Sequence, residues 1–165
     1  MTNPLSQSIR ITAAGAPQMA LVHTLFLEYA RGLGIDLCFQ DFEQELSSLP
    51  GKYAAPRGAL LLARVGEAAA GCIAMRGIAL AEHPNACEMK RLYVRPAFRG
   101  LGLGRRLADA VLEAARSAGY ACMLLDTLEP MRSAQSLYRE LGFVEIPRYY
   151  DNPLPGARYL KLDLR

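Results

Sequence analysis

Residues 99 to 106 read RGLGLGRR, three glycines at alternate positions bracketed by arginines, immediately before an apolar-periodic run. Such a stretch suits neither a helix interior nor a packed strand, and it predicts a turn leading into a helix. The unpaired N–H groups of a first helical turn, with the positive end of the helix dipole, attract anions. Glycines let phosphate oxygens approach the backbone with no Cβ in the way. Lys90, Arg91, Arg95, Arg99, Arg105 and Arg106 all fall around the stretch and add positive charge to it. A solvated charged face and a purely structural turn are the alternatives. Two familiar phosphate loops fail on spacing. In a G-x-G-x-x-G count, Arg105 stands in the last position from Gly100 and Leu107 from Gly102, and no Gly-Lys-Ser/Thr occurs.

Other chemistries have less to work with. His23 and His83 are the only histidines and neither has a ligand-spaced partner, so a zinc site or a Ser-His-Asp triad is not expected. A net charge of +3 is too mild to argue for nucleic acid. The opening MTNPLSQSIR is polar and contains a proline, so it does not resemble a secretory segment. No apolar run approaches the roughly 18 residues of a membrane span. Cys38, Cys72, Cys87 and Cys122 form no C-x-x-C pair, and three of them lie in strand-like runs. Reduced, buried thiols in a cytoplasmic protein are the expectation.

The elements that must position the glycine turn can be read from periodicity. Ser8 to Thr12 alternates as a short strand. Met19, Val22, Leu25, Phe26 and Tyr29 recur at helical spacing from Gln18 to about Leu33, where Gly32 and Gly34 stop the helix. Asp41 is placed to cap a second helix through Leu49. Ala59–Val65 and Ala70–Met75 read as strands joined at Gly66-Glu67, and a loop with Pro84-Asn85 precedes a strand from Cys87 to Val94. Pro96 ends it. A helix marked by Leu107, Val111, Leu112 and Ala115 follows the glycines, and Gly119 terminates it. Ala121–Asp126 is apolar enough for a strand covered on both faces. Pro130 suits the first turn of a helix striped by Ala134, Leu137, Tyr138 and Leu141. Phe143–Ile146 and Arg158–Leu164 are the last strands. The order makes a mixed α/β sheet with helices on it.

The segment CEMKRLYVRPAFRGLGLGRRLADAVLEAARSAGY, then ACMLLDT, then AQSLYRELGF, resembles the GNAT superfamily of acyl-CoA-dependent N-acetyltransferases. The family's signature, Arg/Gln-x-x-Gly-x-Gly/Ala, is met by Arg99, Gly102 and Gly104. Its tyrosine shortly before Gly-Phe is met by Tyr138 ahead of Gly142-Phe143. The likeness covers Cys87 to Ile146, and the N-terminal half agrees in element order. It implies one acetyltransferase domain over 1–165. Residues 1–58 would hold the first strand and acceptor-side helices, 59–146 the sheet core with the coenzyme A motif, and 147–165 a loop and the last strand. The implied fold is a mostly antiparallel sheet of about six to seven strands with about four helices, splayed at a central parallel pair. Acetyl-CoA is the implied co-substrate, with no metal. Its pyrophosphate would rest on the backbone of Arg99, Gly100, Leu101, Gly102, Leu103, Gly104 and Arg105, and its pantetheine along Leu92, Tyr93 and Val94 as an added strand. The thioester would enter the splay.

Acetyl transfer needs a neutral amine, a donor for the carbonyl oxygen and a proton for the departing thiolate. The resemblance assigns these to Glu88 as a base acting through water, a backbone N–H near Leu92, and Tyr138 as general acid. Tyr138 also belongs to an apolar stripe and Glu88 could simply pair with an arginine, so packing and ion pairing are the alternatives. Alternation places Glu88, Lys90, Leu92 and Val94 on one face unless a bulge intervenes. Many family members carry Asn where this chain has Met131, which removes one cofactor contact. Asp126 and Thr127 end the central strand near the slot. The acceptor side offers Tyr29, Asp36, Tyr149 and Tyr150 for a small-molecule or peptide amine, held by cation–π and charge contacts. An aromatic-anchored turn is the alternative for Tyr149 and Tyr150. A homodimer is common in the family. Two rival classes stay open, a catalytically silent acyl-CoA-binding module and a nucleotide- or nucleic-acid-binding domain using the same basic loop.

Overall fold

Alternation on two strands buried on both faces sets the architecture. In the computed structural model, which describes residues 8–34, 36–37, 41–128 and 131–165, strand β2 (Ala59–Val65) turns Leu60 and Leu62 one way and Ala59, Leu61 and Ala63 the other. Strand β3 (Ala68–Leu80) does the same, with Cys72 and Ala74 against Ile73 and Met75. Helix α1 (Met19–Leu33) covers the first face with Val22, Leu25 and Phe26, and the short α2 (Phe42–Ser47) adds Phe42. Helix α3 (Leu103–Ser117) covers the second with Leu107, Ala108, Val111, Leu112 and Ala115. Apolar burial on both faces explains why these strands read as continuous apolar runs.

The other elements are β1 (Ile9–Ala13), β4 (His83–Val94), β5 (Cys122–Thr127), α4 (Arg132–Leu141), β6 (Val144–Ile146) and β7 (Arg158–Asp163). The sheet order is β1-β2-β3-β4-β5-β7-β6, antiparallel throughout except for the parallel pair β4/β5. That pair is short. Ala86, Cys87 and Glu88 face Cys122, Met123 and Leu124, and no pairing follows, so the sheet splays beyond Glu88.

A bulge adds to the splay. Ala74 faces Lys90 but Cys72 faces Tyr93, so two steps on β3 oppose three on β4, and Arg91 takes φ 61°. The extra residue reverses the phase of β4. Glu88, Lys90 and Tyr93 therefore face the α1 side, while Leu92 and Val94 pack with Met89 on the α3 side. The expected common face for Glu88, Lys90, Leu92 and Val94 is thus corrected.

Other departures are local. Strand β4 begins at His83, so Pro84 and Asn85 are strand rather than loop; Pro84 sits near the strand's start, where a missing donor is tolerated. Strand β3 is likewise longer at both ends than Ala70–Met75. Helix α2 stops at Ser47, and Asp41 adopts a left-handed conformation with no side-chain capping bond. Cys38 and Pro130 lie outside the described residues. Among those described, no helix is long and apolar enough to cross a membrane.

Cys72, Cys87 and Cys122 are free and buried. Burial pushes the Cys72 and Cys87 thiols up to about 12. The unfolded chain releases these protons near its ordinary thiol value, so it binds fewer protons than the native state above about pH 8.5. Stability should fall there by up to about 1.4 kcal/mol per pH unit for each thiol. Urea midpoints between pH 8 and 10 check this, with a flatter pH slope expected in Cys72→Ala and Cys87→Ala.

Candidate active site

The glycine turn joins β4 to α3. Gly100 and Gly102 have φ +86° and +75°, and a Cβ on either would meet nothing within 4 Å, so backbone conformation rather than crowding requires glycine there. Gly102 is the N-cap of α3 and no side chain caps the helix. Its first bond runs from the Arg106 N–H to the Gly102 carbonyl at 3.2 Å, so the N–H groups of Leu103, Gly104 and Arg105 have no earlier turn to bond. The Leu103 side chain is buried with Val65 and Ala70, and partly buried Leu101 packs beside it, anchoring the turn from beneath. The Arg99 Nε donates to the Val94 carbonyl at 3.1 Å, folding the loop back on β4.

The six cations do not all gather at this turn. Arg105 lies 3.3 Å from Asp109, and Arg106 is exposed. Arg95 pairs with Glu28 at 2.8 Å and holds that carboxyl below its ordinary value. Lys90 and Arg91 are buried on the α1 side of the sheet. Arg99, Arg105 and Arg106 are left to border the turn.

Beside the turn lies a groove of about 440 Å³ between Leu92, Tyr93 and Val94 of β4, the glycines, and Met131, Ala134 and Leu137 of α4. Gly104 also lines the groove, and a Cβ there would touch only Leu137, at 3.8 Å. The Tyr93 hydroxyl donates to Glu28 at 3.2 Å, which leaves its strand backbone along the groove. Bare helix-end N–H groups, left-handed glycines and flanking arginines fit a pyrophosphate, and the strand edge fits an extended amide chain.

The groove leads into the splay, a slot of about 40 Å³ between Lys90, Arg91 and Leu92 on β4 and Leu125, Asp126 and Thr127 on β5. Tyr138 of α4 lines it. Its ring meets Phe143 edge-on at 5.7 Å, and among the described residues nothing hydrogen bonds to its hydroxyl. Burial raises its pKa, helped by the neighbouring Tyr29 and Asp126, so the phenol keeps its proton at neutral pH. Met131 accepts a 3.8 Å contact from the Thr127 hydroxyl and lines both slot and groove, as do Tyr29, Leu33 and Leu92.

On the other side of Lys90 is a cavity of about 310 Å³. Glu88, 1% exposed, lies in its wall, where Oε1 accepts from the Arg76 Nε at 3.0 Å and Oε2 from the Tyr149 hydroxyl at 2.6 Å. Tyr150 also lines it and donates to Asp126, which accepts from the Asn152 amide at 3.0 Å as well. Lys90 Nζ lies 3.9 Å from both Glu88 and Asp126; burial lowers its pKa against the pull of these carboxylates. Lys90 lines both this cavity and the slot. Of the acceptor-side candidates, Tyr29 reaches the slot and Tyr149 and Tyr150 the cavity. Asp36 is exposed and lines none of the three spaces.

Sequence reasoning passed over Arg76, Glu45 and the buried roles of Lys90 and Arg91. Glu45 accepts from Arg91 Nε at 2.9 Å and from the Tyr53 hydroxyl at 2.7 Å. The β3/β4 register that sets Arg76 opposite Glu88 was the missing signal.

The sequence pattern described as the Acetyltransferase (GNAT) family matches residues 20–143. The chain belongs to the GNAT family of acetyltransferases. An uncharacterized N-acetyltransferase of Schizosaccharomyces pombe is 39% identical over 159 residues, 95% of this chain and 96% of that one. A GNAT-family acetyltransferase from Staphylococcus aureus shares the fold, with TM-score 0.77 and 23% identity over 96% of this chain and 100% of the other. A Salmonella typhimurium protein solved with its cofactor acetyl-CoA has TM-score 0.66 and 18% identity, over 95% of this chain and 94% of its own.

Valine at Gly102 would have to hold a left-handed conformation at a strain of about 1–3 kcal/mol. Gly102→Val should weaken coenzyme A binding about tenfold or more by calorimetry. Unchanged affinity would remove the turn from the phosphate site.

Proposed function

We propose that this GNAT protein moves the acetyl group of acetyl-CoA to a primary amine by direct attack in a ternary complex. The observation that carries the reading is that three spaces adjoin one another along β4. The slot holding Tyr138 shares Tyr29, Leu33, Leu92 and Met131 with the groove and Lys90 with the cavity. The thioester enters from one side and the amine from the other.

In this reading the amine nitrogen bonds to the carbonyl carbon as the carbon–sulfur bond breaks. The Tyr138 hydroxyl gives its proton to the departing sulfur. The bulge at Arg91 takes backbone out of the β3/β4 ladder beside the slot, which supports the Leu92 N–H as donor to the carbonyl oxygen. Glu88 receives the proton lost by the amine, through water or through the Tyr149 hydroxyl it already binds. Burial and the Glu88 charge raise the Tyr149 pKa, so this phenol passes a proton without becoming a free phenolate.

Tyr138→Phe should lower kcat about 100-fold with little change in the KM for acetyl-CoA, measured by thiol release. Because the Tyr138 pKa is raised, the general acid stays protonated as pH increases. For a lysine-like amine, kcat/KM should therefore climb with pH to about 9 without an alkaline decline, following the amine's own deprotonation. A wild-type turnover rate in Tyr138→Phe would contradict the assignment.

A further inference from the structure

The 310 Å³ cavity has an unequal supply of polar groups. Two of the carboxylates lining it, partly buried Glu45 and buried Glu88, are already held by donors: Glu45 by Arg91 and Tyr53, and Glu88 by Arg76 and Tyr149. Arg76 spends only its Nε on Glu88. Among the described residues its two Nη groups make no hydrogen bond, although Arg76 lines the cavity and its side chain is 26% exposed. The planar edge of a guanidinium with both Nη groups unspent matches a carboxylate in a paired geometry. Exposed Lys52 and Asp41 also line the cavity.

We infer that the acceptor carries a carboxylate as well as its amine, and that the Nη groups of Arg76 bind that carboxylate while the amine passes Lys90 into the slot. The acceptor is then an amino-acid-like molecule rather than a polyamine. This inference rests on the acetyl-transfer reading for the role of the cavity, but its binding claim is separable. The cavity suits such a ligand in size, since it is large enough for a small molecule and too small for a folded partner. The cross-strand pairing of Arg76 with Glu88 sets the carboxylate end beside the group assigned to take the amine's proton.

The test is calorimetry on coenzyme A-loaded protein with glycine, aspartate and γ-aminobutyrate, each compared with its carboxamide, and with putrescine. At least one carboxylate-bearing amine should bind about tenfold or more tightly than its amide. Arg76→Gln should erase that preference, with a loss of about 30-fold or more for the acid form, and Arg76→Lys should recover part of it. Equal binding of acids and amides, tighter binding of putrescine, or no binding by any of the acids would overturn the inference. Equal weakening of acid and amide in Arg76→Gln would also overturn it, because Arg76 would then act only on Glu88. If that variant does not fold, the wild-type panel and Arg76→Lys still decide. Absence of thiol release from acetyl-CoA with a surviving acid preference would instead remove the acetyl-transfer reading and leave the carboxylate site standing.

Discussion

Strand β4 pairs with β3 along most of its length but with β5 only from Ala86 to Glu88, and the slot between β4 and β5 depends on that separation. A strand held on both edges leaves no room between backbones about 4.8 Å apart. The bulge at Arg91 bends β4, and the Arg91 guanidinium keeps it there. It is 3% exposed, bonded to Glu45 and stacked over Phe42 at 5.1 Å. Glu45 in turn holds Tyr53, which packs edge-on against Phe26 of α1 at 6.0 Å. The opening of the sheet is therefore tied to the first core face through the pair of buried Arg91 with partly buried Glu45. Such a pair contributes little net stability against an apolar substitute, but removal of one partner leaves a buried charge, so the device specifies geometry more than it adds free energy.

The phase reversal at the bulge divides labour between the two faces. Glu88 and Lys90, before it, turn to the α1 side and frame the cavity; Leu92 and Val94, after it, line the groove that ends at the glycine turn. Without the extra residue, every second side chain of β4 would fall on one face. With it, a single strand lines the cavity, the slot and the groove in sequence. Charged residues on β4 and just after it go where partners wait: Arg76 and Tyr149 for Glu88, Glu45 for Arg91, and Glu28 for Arg95.

Much of this was legible from residues alone. The glycine turn, the helix after it, the stripe bearing Tyr138 and the two-sided strands follow from local pattern, because each is decided by conformation or burial within a few residues. Gly34 and Gly142 end their helices in left-handed conformations as their positions suggest. The bulge was not legible, since MKRLYV carries no glycine and its extra residue shows only against the β3 partner. For the same reason the cations of β4 were grouped with the turn, although Lys90 and Arg91 point away from it. Arg76 was silent in sequence because its role depends on a register between strands, not on a motif. Tyr149 and Tyr150 were visible as aromatics, but their hydroxyl bonds to Glu88 and Asp126 are long-range.

The most direct test of the central claim is a crystal structure of the acetyl-CoA complex. The pyrophosphate should lie on the N–H groups of residues 102 to 105, pantetheine beside Leu92 to Val94, and the thioester sulfur within hydrogen-bonding reach of the Tyr138 hydroxyl in the β4/β5 opening. A cofactor bound elsewhere, or a thioester lying outside that opening, would contradict that claim.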